Sequence, residues 1–64
     1  MRPYYIISGG KIQRSNNTII VIKEDGNYEI PVENADSISI IGNTTLTSSV
    51  LSLLSEKGIP LFLF

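Results

Sequence analysis

The hydrophobic period of this chain changes once, and that change restricts the fold more than any other feature. As far as Ile41, short β-branched and aromatic runs alternate with turn residues. Leu46, Val50, Leu53 and Leu54 then fall at i, i+4, i+7 and i+8, a stripe along one side of a helix, with Leu51 at its flank. Gly58-Ile59-Pro60-Leu61-Phe62-Leu63-Phe64 follows, the most apolar stretch of the chain. Strand, helix and strand joined by short links imply a right-handed crossover between parallel neighbours. The fold class expected is therefore α+β and mainly β: a small β-sandwich-like domain of hairpins followed by a strand-helix-strand unit.

Turn chemistry divides the first part. Tyr4 to Ser8 reads as a strand, Gly9-Gly10 as a tight turn, and Lys11 to Arg14 as the hairpin partner. Ser15-Asn16-Asn17 turns the chain again. Thr18 to Lys23 is rich in Ile and Val on both faces, as a central strand would be, and Glu24-Asp25-Gly26-Asn27 carries the Asp-Gly signal of the next hairpin. Tyr28, Ile30 and Val32 alternate with Glu29, Pro31 and Glu33, giving one buried and one wet face; Pro31 cannot donate to a ladder, which places this strand at an edge. Glu33 to Asp36 reads as a loop and Ile38 to Ile41 as a further strand ending at Gly42. The helix is expected from about Thr47 to Lys57, with a cap among Thr44, Thr45 and Thr47 and a left-handed Gly58 beyond its end.

At 64 residues the chain buries only about 60% of its unfolded surface. With neither Cys nor His there is no disulfide and no ordinary zinc site, so a partner chain or a missing domain is the remaining source of extra stability. A net charge of −1 provides no broad attraction for nucleic acid or anionic lipid. No apolar run approaches the roughly 20 residues of a membrane span, and the amino terminus lacks a secretory core, so a cytoplasmic location is expected and no membrane partner.

Catalytic signals are weak. The Gly42-to-Ser49 turn contains neither a G-x-G-x-x-G nor a Walker A pattern, and its hydroxyls read as structural. Glu24 with Asp25 and Glu33 with Asp36 read as solvated turn formers rather than metal ligands. With no His or Cys, an acid-base pair would have to come from carboxylates, Lys and Tyr, and none converges. Lys11, Arg14 and Lys23, with Tyr4 and Tyr5 near by, form the candidate nucleic-acid face. Leu61, Phe62, Leu63 and Phe64 form the candidate interface. Their strand is read as buried on both faces, so that Phe62→Glu would prevent folding.

Two segments carry a family resemblance: Ile30-Pro31-Val32-Glu33-Asn34-Ala35-Asp36 and Leu53-Leu54-Ser55-Glu56-Lys57-Gly58-Ile59-Pro60-Leu61, in that order and separation. With the Tyr4-Tyr5-Ile6-Ile7 strand before them, they resemble the amino-terminal β domain of the CRISPR-associated endonuclease and integrase, Cas one. The resemblance implies that residues 1–64 are one domain of a larger two-domain protein, whose helical second domain holds the metal-binding residues. It implies Mg²⁺ or Mn²⁺ as cofactor of the full-length protein, with none held by this part, and transesterification of DNA during spacer acquisition. The implied partners are a second copy, the small second adaptation protein (Cas two), and double-stranded DNA. On this reading these residues are scaffold and are inactive alone. The rival reading is an autonomous β module that binds a peptide or single-stranded nucleic acid on its Tyr and Lys face; a small enzyme is a distant third.

Overall fold

The computed structural model describes residues 1–7 and 10–64. Seven strands, a 3-10 turn and one helix are arranged as two sheets: β1 (Arg2–Ile7), β2 (Lys11–Ser15), β3 (Thr18–Lys23), β4 (Gly26–Pro31), the turn Val32–Asn34, β5 (Ala35–Ile41), β6 (Thr45–Leu46), α1 (Ser48–Lys57) and β7 (Leu61–Leu63). One sheet has the order β1-β5-β7 and the other β4-β3-β2-β6. The α+β, mainly β architecture expected from the periodicity is the one found.

The four-stranded sheet grows out of local signals. Ser15 pairs with Thr18 across Asn16-Asn17, and Lys23 pairs with Gly26 across Glu24-Asp25. Asn16 adopts φ 57, a left-handed conformation that Asn tolerates better than most residues. As expected, β3 is interior and β4 is an edge. The Asn17 carbonyl accepts from the Val32 N–H at 3.2 Å, which makes Thr18 and Pro31 a non-hydrogen-bonded pair of the ladder. The missing N–H of Pro31 therefore removes no bond with β3.

The hairpin expected around Gly9-Gly10 does not form. β1 pairs in parallel with β5, Tyr4 opposite Ile38 and Ile6 opposite Ile40, while β2 belongs to the other sheet. Ser8 and Gly9, read from sequence as a strand end and part of a turn, lie outside the described residues. Gly10 has φ 101, and a Cβ on it would overlap the Ile22 carbonyl oxygen. Its own carbonyl accepts from the Thr45 N–H at 3.2 Å. Gly10 thus helps hold the start of β2 against both β3 and β6, and close backbone approach is what requires glycine there.

The strand-helix-strand unit forms, with β7 parallel to β5. Between them β6, which periodicity did not reveal, places Leu46 beside Ile12. Leu46 still packs on the core, but from a strand rather than from the helical stripe. The α1 stripe of Val50, Leu53 and Leu54 is buried, and Leu51 is exposed. Gly58 ends the helix at φ 66, its N–H directed at the Leu54 and Ser55 carbonyls. The hydroxyl cap expected from the threonines is absent: Thr47 holds the cap position through its backbone carbonyl, and its Oγ1 lies 3.0 Å from Ser49 Oγ. The core is a cluster of Ile, Val and Leu from both sheets and the helix, with Ile12, Ile19, Ile38, Val50 and Leu53 the most completely enclosed.

Two burial expectations are corrected. Tyr28, read as inward, is half exposed because β4 is an edge with no element beyond it. The apolar carboxy-terminal strand is also an edge. Only Leu61 packs against the core; Phe62, Leu63 and Phe64 are 48%, 64% and 77% exposed. An unbroken apolar run does not distinguish a strand covered on both faces from one with a face left open.

Candidate functional site

The three basic residues read as one face are divided by the register. Ile12 and Arg14 point to the side of the four-stranded sheet shared by Ile19, Val21 and Lys23, the core side. Lys11, one residue out of phase, points to the opposite side. Arg14 and Lys23 lie near opposite ends of their strands. Arg14 donates from Nε to the Asn16 carbonyl at 2.8 Å and reaches Glu56 of α1 through Nη2 at 3.4 Å. Lys23 donates from Nζ to the Ile7 carbonyl at 2.8 Å. Arg14 joins its sheet to the helix and Lys23 joins the two sheets.

The parallel register gathers a second group that alternation alone did not reveal. Tyr5, Ser39 and Phe62 form one cross-strand row of the β1-β5-β7 sheet, and Ile7 pairs with Ile41 in the next. All five point away from the core, since Tyr4, Ile6, Ile38, Ile40 and Leu61 fill the inner side. Tyr5, Ile7, Ile41 and Phe62 are exposed, while Ser39 between the two rings is nearly covered. An apolar sheet face of this kind, open to water, is characteristic of an interaction surface. Of the candidate interface residues, Phe62 lies on this face and Phe64 beyond it, next to Ile41 through the ladder bonds Phe64 N–H to Ile40 and Gly42 N–H to Phe64. Leu61 belongs to the core side, and Leu63, opposite Ile40, emerges at the edge.

An open cleft of about 320 Å³ runs between the free edges of β1 and β4, lined by Tyr4, Tyr5, Lys23, Tyr28 and Glu29 above an aliphatic floor. Tyr28 donates from its hydroxyl to Asp25 Oδ2 at 3.1 Å. That hydrogen bond, with the adjacent negative charge, raises the Tyr28 phenol above the ordinary tyrosine range. The ring is therefore held at the mouth of the cleft in its neutral form.

The Gly42-to-Ser49 segment contains β6 and the first residues of α1. Thr44 Oγ1 is buried there without a hydrogen-bond partner among the described residues. No three His, Cys, Asp or Glu side chains converge among the described residues, so these residues do not fit the divalent metal implied by the family resemblance. No helix of the described residues is long and apolar enough to cross a membrane.

Fold and surface thus define a small two-sheet α+β domain with an exposed apolar sheet face and no cluster of three His, Cys, Asp or Glu side chains among its described residues. Residues 4–64 match the family described as CRISPR associated protein Cas1, and the chain belongs to that family. It is 41% identical over 59 residues to a CRISPR-associated endonuclease Cas1 of Thermodesulfovibrio yellowstonii, covering 91% of this chain and 18% of that protein. It is 39% identical over 64 residues to the Cas1 endonuclease of Thermotoga maritima, covering all of this chain and 20% of that one. The solved structure of a Thermotoga maritima Cas1 protein superposes with a TM-score of 0.89 over the whole chain and 20% of its own length. A Cas6-RT-Cas1–Cas2 complex matches with a TM-score of 0.79 at 26% identity, over 94% of this chain and 7% of that one. The chain spans about a fifth of the length of the curated relatives it matches.

Proposed function

We propose that residues 1–64 are the amino-terminal scaffold and self-association domain of a metal-dependent CRISPR DNA endonuclease and integrase acting in spacer acquisition. In this reading a helical domain elsewhere in the protein performs the chemistry with Mg²⁺ or Mn²⁺. The assembly is cytoplasmic and includes a second copy, a Cas2-type partner and double-stranded DNA. Family membership over residues 4–64 supports the biological context. A structural relative solved as a Cas6-RT-Cas1–Cas2 complex supports the Cas2-type partner.

The observation that carries the scaffold role is the outward row Tyr5-Ser39-Phe62 with Ile7 and Ile41, an apolar face on a chain without a converged acidic or metal-ligating cluster among its described residues. Lys11, Arg14 and Lys23 would contact DNA individually rather than as a stripe. Lys11 is the exposed member, and the other two already hold intramolecular bonds. The test is light scattering on the 64-residue chain at high micromolar concentration. A dimer mass is expected, and Phe62→Glu should return it to monomer with the circular dichroism spectrum unchanged, because half of Phe62 is already in water in the isolated chain. A parent that is monomeric throughout that range overturns the self-association role.

A further inference from the structure

A different surface, the cleft between β1 and β4, has the character of a peptide groove. Among the described residues β4 bonds only to β3. Because Thr18 and Pro31 are a non-hydrogen-bonded pair, Asn27 and Glu29, which alternate with Pro31, are too, and their N–H and C=O groups point away from β3. These outward groups form a short template for an added strand. The neighbouring β1 edge is already partly closed, since the Ile7 carbonyl accepts from Lys23. Pro31 offers no N–H, so the template ends there.

The chemistry of the groove selects among strands. Tyr28 is exposed at its side with Asp25 attached to its hydroxyl, and Glu29 lines it from the opposite face of β4. Asp25 beside the Tyr28 ring on one face of the β4 edge and Glu29 on the other favour guanidinium or ammonium groups on an added strand. The single ammonium in the groove, Lys23, is occupied with a backbone carbonyl. Self-pairing of two β4 edges around Glu29 would bring like charges together, which discourages a second copy. A nucleic-acid backbone would meet the same carboxylates.

We infer that the free edge of β4 accepts an extended peptide by strand addition, with an Arg or Lys side chain of that peptide placed beside the Glu29 carboxylate on the outer face of the sheet. The occupant is a polypeptide segment of basic, alternating character.

The experiment titrates the ¹⁵N-labelled chain with three probes: an alternating Lys-Val octapeptide, the matching Glu-Val octapeptide, and a dodecamer of deoxythymidine. The basic peptide is expected to saturate and to move the Asn27 and Glu29 amide resonances most. Glu29→Lys should weaken it by about tenfold, which corresponds to about 1.4 kcal/mol, and raise affinity for the acidic peptide. If Glu29→Lys fails to fold, Asp25→Asn supplies the same comparison with a smaller change. The inference is overturned if the basic peptide does not bind, if both peptides bind equally, if the oligonucleotide binds instead, or if the shifts map to the Tyr5-Phe62 face. Its outcome is separable from the oligomeric state, which is read by light scattering.

Discussion

Replacing Gly10 by alanine tests how the two sheets are joined. Two costs are superimposed at this position. At φ 101 an L residue sits outside its comfortable range, for about 1–2 kcal/mol. The new methyl would also occupy the space of the Ile22 carbonyl oxygen and crowd Lys23 Cγ at 3.3 Å. Ile22 pairs with Lys11 inside the β2-β3 ladder, so its carbonyl cannot swing away without loss of register. Overpacking of this kind adds about 1–3 kcal/mol. The lower entropy of the unfolded alanine chain returns somewhat under 1 kcal/mol.

The expected net loss is about 2–4 kcal/mol, against a total stability of about 3–10 kcal/mol for a chain this short. Gly26→Ala is the matched control. Its φ is 144, but nothing among the described residues lies within 4 Å of the added methyl, so only the conformational cost of about 1–2 kcal/mol applies. Urea titrations followed by circular dichroism, at a common m value, measure both. If Gly10→Ala is no worse than Gly26→Ala, the close approach of β2 and β3 at Ile22 is not what holds glycine at position 10, and the reasoning fails.

Thr44→Val should leave stability unchanged or raise it by about 1 kcal/mol, since the buried Thr44 hydroxyl has no partner among the described residues and loses only a desolvation penalty when removed. A clear drop in melting temperature would reveal a hydrogen bond to that hydroxyl. The phenol of Tyr28 should titrate above the ordinary tyrosine value, and phenolate absorbance in the parent, Tyr28→Phe and Asp25→Asn will show it. The folded state holds this proton more tightly than the unfolded chain. Its contribution to stability is therefore complete below the unfolded value near 10 and lost as pH rises through the higher folded value. An Asp25→Asn curve that overlays the parent would remove Asp25 as the cause.

Residues close in sequence had already specified much of this protein. Asn16 and Gly26 shape their hairpins through positive φ values available to few other residues, the spacing of Val50, Leu53 and Leu54 defines a helix face, and Gly58 closes that helix. These are local signals: the positive φ values of Asn16 and Gly26 are torsional preferences, and the stripe is one face of one element. Pro31 marked an edge for the same reason: a missing donor acts wherever the strand lies. Gly9-Gly10 was misleading because a local turn signal competes with non-local pairing. Parallel alignment with β5 buries Tyr4 and Ile6 beside Ile38 and Ile40, an arrangement that no short window of sequence can register.

The candidate surfaces depended still more on distant pairing. Lys11, Arg14 and Lys23 were visible as charges, but strand phase sent Lys11 to one side and the other two to the core side. Tyr5 and Phe62, 57 positions apart by their numbering, come together only because β5 lies between their strands and sets both registers. The apolar composition of β7 was legible from the outset; its exposure was not. Burial is a property of what lies across a sheet, so the chain's own letters specify strands, turns and helix, while the neighbours each strand acquires decide which side chains meet water.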